Sequence, residues 1–105
     1  MPNLLLEAQE QLQGLVAGAA RSAMQKGALP EAELPAFTVE IPADPSHGDF
    51  AANAAMVWAR ALKLPPRKIA EAVAAQLELA GSCFDRWEIA GPGFLNFFLA
   101  PGWCA

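Results

Sequence analysis

The period of the hydrophobic pattern changes in the last third of this chain, and that change restricts the available folds more than any other feature. Before it, apolar residues recur at intervals of three and four, the spacing of amphipathic helices. After it they alternate. Cys83, Asp85, Trp87 and Ile89 fall on one face of a strand, with Phe84, Arg86 and Glu88 on the other. Ala90-Gly91-Pro92-Gly93 forms a turn, and Phe94 to Leu99 pairs back as a hairpin. Pro101 ends the pattern.

Upstream, Asn3 to Gly27 reads as one long helix. Asn3 is the N-cap, and Glu7 and Glu10 lie early, where the macrodipole favours acids. Leu5, Ala8, Leu12, Leu15, Ala19 and Ala23 form the apolar stripe, Lys26 occupies the last turn, and Gly27 takes the left-handed closing position. Gly14 and Gly18 each cost about 1 kcal/mol relative to alanine unless another element packs close to them. Gly27 to Ala36, with Pro30 and Pro35, is a solvated connection. Phe37-Thr38-Val39-Glu40-Ile41 alternates and is a strand with one buried face, ended by Pro42.

Pro42 to Asp49 is dense in turn formers and reads as a loop, with room for a short returning strand near His47 and Gly48. A second helix is expected to start after Asp49 as N-cap, with Phe50, Ala54, Val57 and Ala61 inward and Trp58 and Leu62 beside them. It stops at Leu64, before Pro65. Pro66 opens a third helix to about Leu79, with Ile69, Val73 and Leu77 in the core and Gly81 closing it. The order is helix, one or two strands, helices, then two strands. That is an α+β domain with an antiparallel sheet and helices on one face.

At 105 residues the chain holds one core, and 54% hydrophobic against 17% charged residues argues against disorder. Two cysteines, Cys83 and Cys104, cannot build a metal cluster or a disulfide scaffold. Reduced thiols in a cytoplasm are expected, Cys83 buried on its strand and Cys104 inert. No apolar run approaches a membrane span, and a net charge of −4 excludes a generally basic nucleic-acid coat. The polar inventory is short: one histidine, His47, and Ser22, Thr38 and Ser82 beyond its neighbourhood. No HExxH, CxxC, GxSxG or phosphate loop occurs. The inventory favours a binding module over a self-contained catalyst.

Three groups of residues invite a functional reading. On the last strand Leu95, Phe97 and Leu99 share one face, and Phe94, Asn96 and Phe98 the other. The set with the polar member belongs on the open side. Two rings flanking an amide suit an unstacked nucleobase, through stacking worth roughly 1–3 kcal/mol per base and donor–acceptor contact with a base edge. The bland alternative packs those rings under a loop or against a neighbouring domain. Arg60, Lys63, Arg67 and Lys68 hold four of the seven basic residues across the junction of the second and third helices. They either contact phosphates or form an ordinary solvated face. His47-Gly48-Asp49-Phe50 with Asn53 reads as a structural loop-to-helix corner: Gly48 permits a sharp turn, Asp49 caps and Asn53 bonds back into the loop. The acid–base alternative, a small hydrolase using His47 and Asp49, lacks a nucleophile. Trp58 and Trp87 are core or interface residues rather than ligand platforms.

The opening Asn3-Leu4-Leu5-Leu6, the central Glu40-Ile41-Pro42 and Pro45-Ser46-His47-Gly48-Asp49-Phe50-Ala51-Ala52-Asn53, and Ala90-Gly91-Pro92-Gly93-Phe94-Leu95-Asn96-Phe97-Phe98-Leu99 occur in order. Together they resemble the N-terminal additional domain of arginyl-tRNA synthetases, over essentially the whole chain. The resemblance implies a four-stranded antiparallel sheet with helices on one side, of α-β-β-α-β-β type. It implies a non-catalytic, cytoplasmic domain that contacts the outer corner of tRNA(Arg), where D-loop nucleotides are unstacked, and so supports arginylation. The family's ring and polar side chain that read a D-loop adenosine match Phe94 and Asn96, with Gly93 and Phe98 beside them. The family often carries tyrosine at the first position, so Phe94 keeps the stacking face and drops a hydroxyl contact. The HIGH-type signature of the catalytic domain is absent, so no cofactor is expected here. ATP and Mg belong to the parent class I arginine–tRNA ligase. The expected organisation is a domain over 1–100, then 101–105 as the start of a connection to the catalytic domain of the same polypeptide. The domain is expected to be monomeric and away from membranes. The alternative is an interdomain or protein–protein docking module using the same sheet face.

Overall fold

A computed structural model describes residues 4–100. Asn3, Cys104 and the 101–105 connection lie outside the described residues, as does the side chain of Leu5. Three helices cover one face of a four-stranded antiparallel sheet, the α+β architecture read from the sequence. The elements are α1 (Leu4–Gln25), β1 (Val39–Glu40), a 3₁₀ turn (Pro45–His47), β2 (Phe50–Ala52), α2 (Ala54–Leu62), α3 (Pro66–Ala74), β3 (Phe84–Ala90) and β4 (Phe94–Leu99). The sheet order is β1-β2-β4-β3.

Helix α1 buries Ala8, Leu12, Val16, Ala19, Ala20 and Ala23; Val16 and Ala20 join the stripe the sequence spacing marks out, while Leu15 is only half-buried. Gly27 closes its end as expected, but Lys26 falls just past the last helical residue, Gln25, rather than in the last turn. Gly27, at φ 80°, donates its N–H to Met24, and Ala28 donates to Ala23, the paired bonds that satisfy a helix's last carbonyls. Among the described residues nothing lies within 4 Å of where a Cβ would stand on Gly14 or Gly18, so no described element packs close there.

The second quarter departs from the sequence reading. The strand expected over 37–41 shrinks to Val39–Glu40, and Ile41 is 58% exposed. The returning strand forms at Phe50–Ala52 rather than at His47 and Gly48, so the second helix begins at Ala54 and not after Asp49. Asn53 occupies the N-cap position without capping through its side chain. Instead its Oδ1 accepts from the Thr38 N–H at 2.8 Å, which ties β1 to the start of α2. Asp49 serves the far side of the sheet: its Oδ2 accepts from the Leu99 N–H at 2.8 Å, and its own N–H donates to the Phe97 carbonyl. With Phe50 in a strand, the helix turns so that Ala54, Ala55, Trp58 and Leu62 face inward, Val57 is half-buried and Ala61 is exposed. Phe50 is still fully buried, in edge-to-face contact with Phe84 at 5.8 Å.

Helix α2 ends at Leu62 and α3 opens on Pro66, but α3 stops at Ala74 rather than near Leu79. Gly81 therefore does not close it, and Leu77 is half-buried. The β3–β4 hairpin forms with a bulge between Phe84 and Arg86. The bulge moves Phe84 off the Arg86–Glu88 face into the core against Phe97, at 6.0 Å, which corrects the simple alternation. Cys83 precedes the strand and is half-buried rather than buried, its thiol donating to Gln11 Oε1 at 3.0 Å.

Candidate functional site

Directly paired residues of an antiparallel sheet share a face. Val39, Ala52, Leu95 and Ile89 form one row across the four strands, and all lie beneath the helices, buried or half-buried. The next row is Glu40, Ala51, Asn96 and Glu88, on the face that no helix of the described residues covers. Phe94 and Phe98 flank Asn96 on this face, as the alternation of β4 requires.

The uncovered face is not flat. The segment from Pro42 to His47 rises on one side of Asn96 and the Ala90–Gly93 turn on the other, enclosing a groove of about 500 Å³. Glu40, Pro42, Ala43, His47, Ala51 and Asn96 line it with the turn, and Phe94, 38% exposed, forms its lip. Asn96 is only 3% exposed. Its amide has no hydrogen-bond partner among the described residues, yet it lines the groove. Its polar atoms keep their contact with solvent through the groove, so no buried polar atom is left orphaned among the described residues. Here the donor and acceptor stay available to whatever enters.

Both walls are braced by contacts that leave no room for a side chain. Gly48, at φ 95°, lies so near β4 that a Cβ would stand 2.8 Å from the Phe97 carbonyl oxygen. That contact, together with the Asp49 bonds to Phe97 and Leu99, docks the loop beside Asn96. At the loop tip, Asp44 accepts from the backbone N–H and the hydroxyl of Ser46, which hold its carboxyl below its ordinary pKa. On the opposite wall Gly93, at φ 152°, would place a Cβ 2.9 Å from Pro66. Gly93 is buried and its N–H is bonded to the Ala90 carbonyl, so it seats the turn against α3 and leaves the lip to Phe94.

The basic cluster meets the groove at one point. Arg67 Nη1 donates to the Gly91 carbonyl at 3.3 Å while its Nε lies 3.8 Å from Glu71. Lys68 follows it at the start of α3, and Arg60 and Lys63 are exposed at the end of α2. Lys63 is the left-handed residue that ends that helix. Phe98, half-buried, does not present a free ring face, because the Arg86 guanidinium lies 3.6 Å above its centroid. Trp58 is buried with its indole N–H on the Pro35 carbonyl at 2.8 Å, and Trp87 is 37% exposed on the edge strand. Sequence reasoning missed Glu40, Pro42 and Ala43 as groove residues, because only the pairing of β1 with β2 carries them beside Asn96. Among the described residues no group of three His, Cys, Asp or Glu side chains is placed to hold a metal ion, and no helix is long and apolar enough to cross a membrane.

Residues 10–99 match the family described as the arginyl tRNA synthetase N terminal domain. An arginine–tRNA ligase of Desulforamulus reducens is 48% identical over 92 residues, 88% of this chain and 16% of that protein. One of Caldanaerobacter subterraneus subsp. tengcongensis is 41% identical over 99 residues, 94% of this chain and 18% of that protein. The chain thus spans about a sixth of the length of these relatives. Among solved structures, an arginyl-tRNA synthetase of Plasmodium falciparum superposes with a TM-score of 0.58 at 16% identity, over 88% of this chain and 16% of that one. At that identity it speaks for the fold. The family match covers most of the chain, and the motifs that line the groove fall within it: the chain belongs to the arginyl-tRNA synthetase N-terminal domain family.

Proposed function

We propose that this chain binds tRNA(Arg) by taking an unstacked D-loop base into the groove between the Pro42–His47 segment and the Ala90–Gly93 turn. In doing so it supports arginylation by a parent class I, ATP-dependent arginine–tRNA ligase. The observation that carries the reading is the unpartnered Asn96 amide, enclosed in the groove beside an exposed aromatic ring. Phe94 stacks on the base and Asn96 bonds its edge, with an adenosine the base expected from the family. His47 and Glu40 complete the walls, and Arg67 with Lys68, Arg60 and Lys63 meets the backbone beyond the turn.

The energetics fit an acidic chain. Stacking gives roughly 1–3 kcal/mol per base whatever the net charge, whereas phosphate contacts weaken as salt rises. With a net charge of −4 and Glu40 inside the groove, base recognition rather than charge carries the specific term. No catalytic role is assigned to any residue of this chain.

Titration of the nitrogen-15-labelled domain with tRNA(Arg) tests the reading. Amide shifts should cluster at Gly93 to Phe98 and shrink when the D-loop adenosine is replaced. Phe94→Ala should weaken binding about 5- to 150-fold, the equivalent of one stacked base, with the melting temperature nearly unchanged. Shifts absent from this strand, with salt-indifferent binding of the catalytic domain in their place, would make the face an interdomain contact.

A further inference from the structure

Two residues beyond Asn96 on the same face, Phe98 is covered by a planar cation. Arg86 is its direct cross-strand partner, and the guanidinium carbon stands 3.6 Å from the ring centroid. One Nη1 donor is engaged by Glu88 Oε1 at 2.7 Å. The side chain is more than half exposed. A guanidinium held against a ring loses little further freedom on binding, and its fork matches the paired oxygens of a phosphate. Along an extended strand, two residues span about 6.8 Å. That sets the cation one step beyond the amide that meets the base.

Resting on the reading that the groove holds an RNA base, we propose that Arg86, braced on Phe98, is a second subsite that binds the backbone phosphate of the adjoining nucleotide. Glu88 is its counterweight. Paired across from Asn96 and bonded to Arg86, its carboxylate holds the guanidinium in place in the free protein and repels the incoming phosphate. The subsite is therefore held at reduced strength by this chain's own acid. It is also separate from the cationic cluster on α2 and α3, which meets the turn through the Arg67 bond to the Gly91 carbonyl.

The test is the salt dependence of the binding of tRNA(Arg) to this chain between about 50 and 200 mM salt. Arg86→Ala should weaken binding roughly three- to tenfold at the low-salt end and reduce the slope of log affinity against log salt by about 0.7, the value for one phosphate contact on a single strand. Arg86→Lys should restore the slope but not the full affinity, because lysine keeps the charge and loses the plane. Glu88→Gln should tighten binding. Thermal melting of Arg86→Ala should match the parent, since an exposed pair of this kind adds little stability. If Phe94→Ala weakens binding while Arg86→Ala leaves the slope unchanged, the second subsite is overturned and the groove stands. If neither substitution changes RNA binding, both readings are overturned.

Discussion

Replacing Gly48 by alanine tests whether the loop wall of the groove is held by close approach to the sheet. Gly48 has φ 95°, and its alanine Cβ would stand 2.8 Å from the Phe97 carbonyl oxygen and 3.3 Å from the Phe97 nitrogen. Both are backbone atoms of the central strand β4, so neither can swing aside. A left-handed backbone costs an L-residue about 1–2 kcal/mol. Forcing an extra methyl into a packed site costs about 1–3 kcal/mol more. The sum, about 2–5 kcal/mol, is a large part of the roughly 5–15 kcal/mol that stabilises an ordinary domain. In urea unfolding, with a slope of about 1–3 kcal/mol per molar, the midpoint should fall by about 0.7–5 M. Gly18→Ala is the control. Nothing lies within 4 Å of its Cβ, and removing a helix-interior glycine should raise stability by about 1 kcal/mol. Equal midpoints for Gly48→Ala and the parent, or equal losses for the two variants, would refute the argument from close approach.

Three further outcomes are expected. Asp49→Ala should cost about 1 kcal/mol and speed hydrogen exchange at the Leu99 amide, whose acceptor it removes, while the first-turn amides of α2 keep their rates. Trp58→Phe should cost about 1–2 kcal/mol by stranding the Pro35 carbonyl, and should open the 28–37 segment to proteolysis. The Asp44 carboxyl, lowered chiefly by the Ser46 N–H and then by its hydroxyl, contributes stability that is present above its unfolded pKa and lost as pH falls through its folded value. A carbon-detected titration should place that value below the ordinary aspartate range, and Ser46→Ala should return it part of the way.

What could be read in advance divides along a physical line. The α1 stripe, the proline that opens α3 and the hairpin around Gly91 and Gly93 are local signals, and they appear where spacing and turn chemistry put them. Phe50-Ala51-Ala52 reads locally as helix because alanine has high helix propensity and the phenylalanine fits an inward spacing. Pairing with Glu40 on one side and Asn96 on the other overrides that preference, and no local signal encodes those distant partners. The inward position of Phe84 depends on a bulge that alternation does not reveal. At the candidate site, Phe94 and Asn96 fall on the face the alternation assigns. The depth of Asn96 was not legible, because the loop that encloses it arrives from about fifty residues away.

The two border strands of the sheet have a consequence for association. A border strand offers unpaired backbone groups to any other extended chain. Here one border, β1, is two residues long, followed by Ile41 and Pro42, and the α1 side chain of Gln9 already occupies the Val39 carbonyl. The other, β3, is interrupted by its bulge and carries Asp85, Arg86 and Glu88. Neither offers a long, uncharged ladder for lateral addition. A fold that keeps an aromatic ring and an open amide on its bare side can thus remain resistant to amyloid-like stacking, and its sheet is approached through the face rather than extended at the margin.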